Sequence, residues 1–313
     1  MHTPPEGPSA DEVLQAVRST WAPDAAQATY LPVGFGAHHW RIDGSSGPVL
    51  FATLDVPSGF RTAPLIRAAY RGVLELAEGG FGGAVLPRLT RSGEVAVSTG
   101  SGLLSVTPWL EGRSPDETEA CASPHAHRVA ALLAELHRSP VPPSAPKWFP
   151  RVAPGFAERL STRLAAPWTA GPLSSDAHRT ISGARADLHD WEKRYAELIA
   201  HARSRRDRWV PTHGEPHHAN QFLDDHELRL VDWETLAIAP PERDLRDLPE
   251  SVRTDFTVDT DLLELFDLEW RLVEIEEYAR WFMAPHPGSE DDVIALEGLR
   301  EEIEAATVTF RTR

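Results

Sequence analysis

Through the first hundred residues the apolar positions come in short runs bounded by glycine, serine and proline. That is the pattern of strands and turns around one helix. The stretches TYLPVGFGAHHWRID (29–43) and GPVLFATLDV (47–56) are expected as strands, with the turn Gly44-Ser45-Ser46-Gly47 between them. A helix is expected over residues 63–78, stopped by Gly79-Gly80. GEVAVST (93–99) and GLLSVTPWLEG (102–112) follow as a further hairpin, broken at Pro108. After Gly112 the apolar spacing lengthens to that of a helix. Val129, Leu132, Leu133 and Leu136 share one helical face, as do Leu188, Trp191, Tyr195 and Leu198. A proline-rich connection, SPVPPSAPKWFP (139–150), lies between them, and acidic helices close the chain. No internal repeat is present. The expected architecture is α+β: a small β-rich lobe (1–107), a hinge near 107–111, and a larger, mainly helical lobe (108–313).

The length of 313 residues suits one large two-lobed domain or two ordinary ones. Hydrophobic residues make up 41% of the chain, enough for true cores, yet no run approaches the ~18 apolar residues of a membrane helix. The start, MHTPPEGPSADEV, has neither a basic opening nor an apolar run, so no secretory signal is expected. The single cysteine, Cys121, forms no internal disulfide and fits a reducing cytoplasm. Nothing near it in sequence would activate a thiol, so it is read as a small residue near a loop. The formal charge of −16 disfavours a nucleic-acid partner and favours cations.

The chemistry concentrates in VPTHGEPHHANQF (210–222) and LRLVDWETLAIAPPERDL (228–245). The first is a short extended run leading to a loop that Pro216 keeps from becoming helical. The second opens as a strand ending in Asp232. This layout is able to gather Glu215, Asn220 and Asp232 around one point. Phosphoryl transfer uses such a trio, one group to orient the nucleophilic hydroxyl and two oxygen ligands for magnesium.

HGEPHHAN resembles the HGDxxxxN loop of the aminoglycoside phosphotransferase and choline kinase superfamily, VDWET its metal-binding strand, and APPERDL the turn that follows. The run 212–245 is most similar to spectinomycin-phosphotransferase-type actinobacterial enzymes. YLPVGFGAHHW and PWLEGRSP stand where that family has its nucleotide loop and post-hinge segment. The resemblance implies a bilobal protein-kinase-like fold, ATP or GTP and Mg2+ as cofactors, and a small-molecule hydroxyl as acceptor. It implies Asn220 and Asp232 as magnesium ligands, Glu215 as base, His213 as a structural loop residue, and Asp244 as the tie holding the loop's backbone amides. It also implies Gly34, Gly36, His38, Arg41, Thr107 and Trp109 at the nucleotide.

Two positions depart from the family pattern. Glu215 replaces aspartate but keeps a carboxylate on a stem one methylene longer, so it is read as a working base. Where the family carries a phosphate-binding lysine this chain has Thr53, and its only lysines are Lys147 and Lys193. Arg41, His38, His39 and Arg67 are the candidate substitutes. Two other functions use the same residues. A metal-dependent hydrolase would use His213, His217, Glu215 and Asp232, with His218 close by. Pro216 argues against the helix that a paired-histidine zinc motif needs. A kinase-fold protein that binds a small molecule without chemistry would explain the missing lysine.

The acceptor's charge is read from the span 255–280, which holds nine acidic residues against two arginines. On a helix, Glu264, Asp267, Arg271 and Glu274 form one stripe. Phe266, Trp270 and Val273 flank it on one side, and Leu265, Leu268 and Leu272 on the other. Such a stripe looks into a cleft or serves as a solvated face. Because the resembling family binds acceptor amino groups with acids of its late helices, a cationic acceptor is expected, held by Glu274 and Asp267.

Overall fold

The computed structural model describes residues 4, 5, 7–34, 36–224 and 227–310. The chain forms two compact units, one made of 1–148 with 208–257 and the other of 149–207 with 258–313. The expected lobes part at residue 107. The compact units part elsewhere, and the loop-bearing segment 208–257 belongs to the same unit as the sheet.

The first unit opens with α1 (Ala10–Thr20). Ser9 and Glu12 form a reciprocal capping box at its start, which satisfies two of the backbone donors a helix leaves open there. One helix was expected in this region, and α1 is a second. Then come β1 (Gln27–Leu31), β2 (Ala37–Gly44), β3 (Gly47–Asp55), α2 (Ala63–Glu78), β4 (Val97–Ser98) and β5 (Leu103–Pro108). The stretch expected as one strand over 29–43 is two, because Gly34 (φ 70°) and Gly36 (φ 88°) turn the chain in the left-handed region that favours glycine. The five strands form one antiparallel sheet in the order β1-β2-β3-β5-β4.

Strand periodicity sorts this sheet into two faces. Trp40, Ile42, Leu50, Ala52, Leu54, Leu104 and Val106 form one and pack with Val13 and Val17 of α1. The register pairs His39 with Thr53 and Thr53 with Ser105, and Arg41 with Phe51 and Phe51 with Thr107, on the other face.

The unit continues through α3 (Glu117–Cys121), where Cys121 is exposed, and α4 (Ser123–Arg138). After the helices α5 (Phe156–Arg163), α6 (Ser174–Gly183) and α7 (Leu188–Ser204) of the second unit, the chain returns to the first. There it forms β6 (Val210–Thr212), β7 (Gln221–Leu223), β8 (Leu228–Leu230), β9 (Ala237–Ala239), α8 (Glu242–Leu245) and α9 (Glu250–Arg253).

The second unit is completed by α10 (Thr260–Met283) and α11 (Glu290–Phe310). Leu262, Leu265, Phe266, Leu268, Leu272, Ile275, Ala279 and Phe282 bury α10 against α6, α7 and α11. Its buried Glu269 accepts from the Tyr195 hydroxyl and from the Arg151 amide at 3.0 Å, so the carboxylate does not lie unpaired in the core. Among the described residues no helix is long and apolar enough to cross a membrane.

Candidate active site

Two short ladders assemble the site within the first unit. β6 pairs with β9, and β7 pairs with β8, Gln221 standing opposite Leu230. Beyond that pair, the Val231 amide donates to the Asn220 carbonyl at 3.0 Å. The hairpin therefore sets Asn220 beside the strand end whose next residue is Asp232. Asp232 has φ 66°, the one positive φ of a non-glycine residue among those described, and a turn over Trp233–Thr235 follows it. Holding an aspartate in this region stores strain, which is a mark of functional positions.

The loop from His213 to Asn220 is pinned along its whole length. The buried Asp244 carboxylate accepts from the His213 amide (3.1 Å), the Gly214 amide (2.6 Å) and His137 Nε2 (2.9 Å). Burial alone would raise its pKa. The hydrogen bond and charge of His137, with the charge of Arg243, bring it below the ordinary carboxylate value instead. Gly214 (φ 102°) lies against the Arg243 guanidinium, and a Cβ there would meet Arg243 Nη2 at 2.1 Å. Arg243 in turn donates to Thr212 Oγ1 and the Thr235 carbonyl, both at 3.0 Å.

His213 is fully buried, its Nε2 2.8 Å from the Val231 carbonyl and its Nδ1 accepting from the Glu215 amide at 3.3 Å. Burial lowers its pKa to about 4, so the ring is neutral with its proton on Nε2. Its edge packs on Trp233 at 4.5 Å. With both nitrogens committed to backbone, His213 is no metal ligand, and the hydrolase set loses a member. Among the described residues the one group of three His, Cys, Asp or Glu side chains clustered closely enough for a metal is His201, Asp259 and Asp261, in the second unit. Arg205 and Arg194 pair with its two aspartates.

Asn220 Nδ2 donates to the Glu215 carbonyl at 2.9 Å, which leaves Oδ1 as the atom able to act as a ligand. Gln221 donates to the Pro216 carbonyl at 2.8 Å and contacts His125 Nε2 at 2.6 Å. Two histidines of α4, His125 and His137, thus brace the loop from beneath. Neither was singled out from sequence, since each stands about a hundred positions from its partner.

Around Asp232 the carboxylates crowd. Glu234 is buried and accepts from Arg61 Nη1 at 3.0 Å, while its Oε2 is buried with no hydrogen-bond partner. Burial and the charge of Asp232 push its pKa well up. Asp232 is raised as well, by burial and by the charges of Asp55 and Glu215. Asp55 accepts from the Tyr70 hydroxyl at 2.7 Å, and its other oxygen is buried without a partner. Burial and the charge of Glu234 lift it to about 7.

The residues expected at the nucleotide separate by sheet face. His39, Arg41, Thr53 and Thr107 share the face away from α1. His39 Nδ1 lies 3.2 Å from Thr53 Oγ1, and burial lowers its pKa to about 4. The rings of His39 and Phe51 are 5.0 Å apart, and those of Phe51 and Trp109 6.4 Å. His38 points to the other face and packs with Tyr30 and Trp40, so strand alternation removes it from this group. Arg41 pairs with Asp43 at 3.2 Å, and Arg67 donates to the Ala96 carbonyl and Ser98 Oγ.

In the second unit, the acidic stripe of α10 has partners. Arg271 binds both oxygens of Asp267 (2.9 and 3.1 Å) and reaches Glu302 at 2.8 Å. Glu264 pairs with Arg194 at 2.8 Å, and Glu274 hydrogen-bonds Tyr278.

A loop fastened in this way, carrying a carboxylate and an amide beside a strained strand-end aspartate, has the layout that phosphoryl transfer uses. Residues 29–282 match the phosphotransferase enzyme family (APH), and the chain belongs to that family. It is a small-molecule phosphotransferase. It is 30% identical over 244 residues to protein StrN of Streptomyces griseus, covering 74% of this chain and 75% of that protein. Spectinomycin phosphotransferase APH(9)-Ia, solved with ADP and spectinomycin, is similar at TM-score 0.75 and 16% identity, over 97% of this chain and 99% of that one. Amicoumacin kinase hAmiN, solved with AMP-PNP, Ca2+ and Ami, is similar at TM-score 0.56 and 16% identity, over 90% and 88%. These structures establish the α+β, protein-kinase-like fold.

Proposed function

We propose that the protein transfers the γ-phosphoryl group of ATP or GTP to a hydroxyl of a small cationic molecule, with Mg2+. The observation that carries this is the position of Asn220. Its side chain holds the Glu215 carbonyl while its own carbonyl holds the Val231 amide, so the base loop and the Asp232 strand form one rigid piece.

Asn220 Oδ1 and Asp232 are the residues suited to magnesium. Their donors are hard oxygens, and the buried carboxylates of Asp232 and Glu234, set against each other, support a cation-binding role for this corner. Bound there, magnesium would neutralise charge on the transferring phosphoryl group. Glu215 would orient the acceptor hydroxyl and take its proton, a contribution of about 10²–10⁴-fold. A loose transition state asks mainly for positioning, so the longer glutamate stem is compatible with turnover.

Gly34 and Gly36 would cover the phosphates. Phe51, Trp109 and the neutral His39 offer an aromatic surface for a purine, with Thr107 beside them. The acceptor class follows from the charge of −16 and the acids of α10, and from the relatives: one neighbour of this fold was solved with spectinomycin. Both Asp267 oxygens are gripped by Arg271, so Glu274 is the stronger candidate for an acceptor amine.

A coupled turnover screen with ATP and GTP, with and without magnesium, tests this against aminocyclitols, aminoglycosides, nucleoside antibiotics and choline-like alcohols. Metal-dependent nucleotide turnover with one of these acceptors is expected. Nucleotide binding without turnover across all four classes would instead favour the non-catalytic reading that Thr53 invites.

A further inference from the structure

A nucleoside triphosphate brings several negative charges to a corner that already holds Asp55, Glu215, Asp232 and Glu234. Phosphate oxygens need charged donors in such a place, and an arginine fork suits them well. Position 53 of the sheet supplies none, because it is a threonine paired with a neutral histidine.

The arginines considered from sequence have their partners away from the Asp232 corner. Arg41 is tied to Asp43, and Arg67 fastens α2 to the β4 region through Ala96 and Ser98. Arg243 is walled in beneath Gly214 by Thr212 and Thr235. Arg61 differs. It lies in the β3–α2 connection, yet its guanidinium bridges the two segments that matter: Nη1 donates to Glu234 at 3.0 Å and Nη2 to the Gly36 carbonyl at 3.3 Å.

We propose that Arg61 is the cation that binds the nucleotide's phosphates, held between the glycine loop and the Asp232 strand by Gly36 and Glu234. The inference rests on the phosphotransferase function proposed above. Among the described residues two N–H groups of the fork are used in this grip, and a guanidinium has five to offer. Glu234, with 3% side-chain exposure against 22% for Arg61, is the buried anchor, and Arg61 is the more exposed member of the pair. Burial disfavours its charged form, and the charges of Glu234, Asp55, Glu215 and Asp232 outweigh that and keep the guanidinium protonated. Arg61 was not among the substitutes expected from sequence, because its partner is 173 residues away.

The test is calorimetric titration of ATP and GTP, with adenosine and guanosine as controls, into the full chain with magnesium. Wild type, Arg61→Gln, Arg61→Lys and the double variant Arg61→Gln/Thr53→Lys are compared. Loss of one charge-assisted contact predicts about ten- to a hundred-fold weaker triphosphate binding by Arg61→Gln. Nucleoside binding should be unchanged, Arg61→Lys should fall between, and the added lysine should restore part of the loss. Triphosphate binding by Arg61→Gln at wild-type strength would overturn the proposal. So would equal losses for triphosphate and nucleoside, or equal losses in the Gln and Lys variants, which mark a role in loop shape alone. Wild type that binds neither triphosphate removes the proposed function itself, a failure visible before any variant is examined.

Discussion

Replacing Asp244 with asparagine changes one oxygen to an amino group and removes one charge. In the protein both oxygens accept: Oδ2 from the His213 amide and His137, Oδ1 from the Gly214 amide. Whichever way the asparagine turns, its NH2 faces a backbone donor in a site closed to water. An orphaned buried donor costs about 1–3 kcal/mol, and breaking a buried charge pair costs about 3–5 kcal/mol. The expected loss is therefore about 3 kcal/mol for Asp244→Asn, and more for Asp244→Ala, which orphans both amides.

For a unit of about 200 residues, each kcal/mol lowers the melting temperature by roughly 2–4 °C, so the asparagine variant should melt on the order of 10 °C lower. Scanning calorimetry with matched urea titrations reads this directly. The pH dependence gives a second, signed check. The folded pKa of Asp244 is lowered, so its stabilisation is present above the unfolded value of about 3.9 and is lost as pH falls through the folded value. The wild type should thus lose more stability than Asp244→Asn on acidification below pH ~4. A variant melting within about 2 °C of wild type, with the same acid limb, would refute the view that this carboxylate fastens the loop.

Three further outcomes are expected. Glu215→Gln should lower kcat by about 10²-fold or more, and Glu215→Asp by less, since the carboxylate is kept; equal losses would show that side-chain length and not charge matters. Gly214→Ala places a methyl at 2.1 Å from Arg243 Nη2 and a side chain at φ 102°, so both melting temperature and turnover should fall, and an unchanged melt would contradict the packing described. Glu274→Gln should raise the acceptor KM with little change in kcat or nucleotide KM, the pattern of lost uniform binding; an unchanged KM, or an acceptor without positive charge, would exclude Glu274 from the acceptor site.

What could be read in advance was what local chemistry decides. The β2–β3 turn at Gly44–Gly47 and the α2 stop at Gly79 follow from residues that adopt few alternatives, and the structure has both. The Asp267–Arg271 pair was equally local, four positions apart on α10, and it accounts for part of a stripe that sequence alone left open between cleft and surface. The α1 capping box was present as Ser9 and Glu12 but stands in a proline-rich opening without a strong periodic run. The braces of the site were beyond reach for another reason. His125 reaches Gln221 across 96 residues and His137 reaches Asp244 across 107, and no spacing rule connects such positions. His38 and His39 are adjacent in sequence, yet strand alternation sends them to opposite faces, and only the register tells which one lies with Thr53.

The two departures from the family pattern fall in different surroundings, and this bears on what each does. Glu215 sits on a loop whose amides, glycine and neighbouring asparagine are all fixed from below, so a longer side chain changes reach without loosening the backbone that carries it. Thr53 sits in the sheet among neighbours that, in the contacts described, offer no positive charge. His39 beside it stays neutral, and Asp55, two residues along the same face, is left with Tyr70 as its hydrogen-bond partner and a pKa raised to about 7. A cation on that strand would favour the charged form of Asp55 and draw it down. The guanidinium at this corner is that of Arg61, bound to Glu234 two residues past the strained Asp232. If Arg61 binds the phosphates as proposed, phosphate binding is tied through Glu234 to the segment that the Val231–Asn220 bond joins to the Glu215 loop, so donor and base would be positioned together.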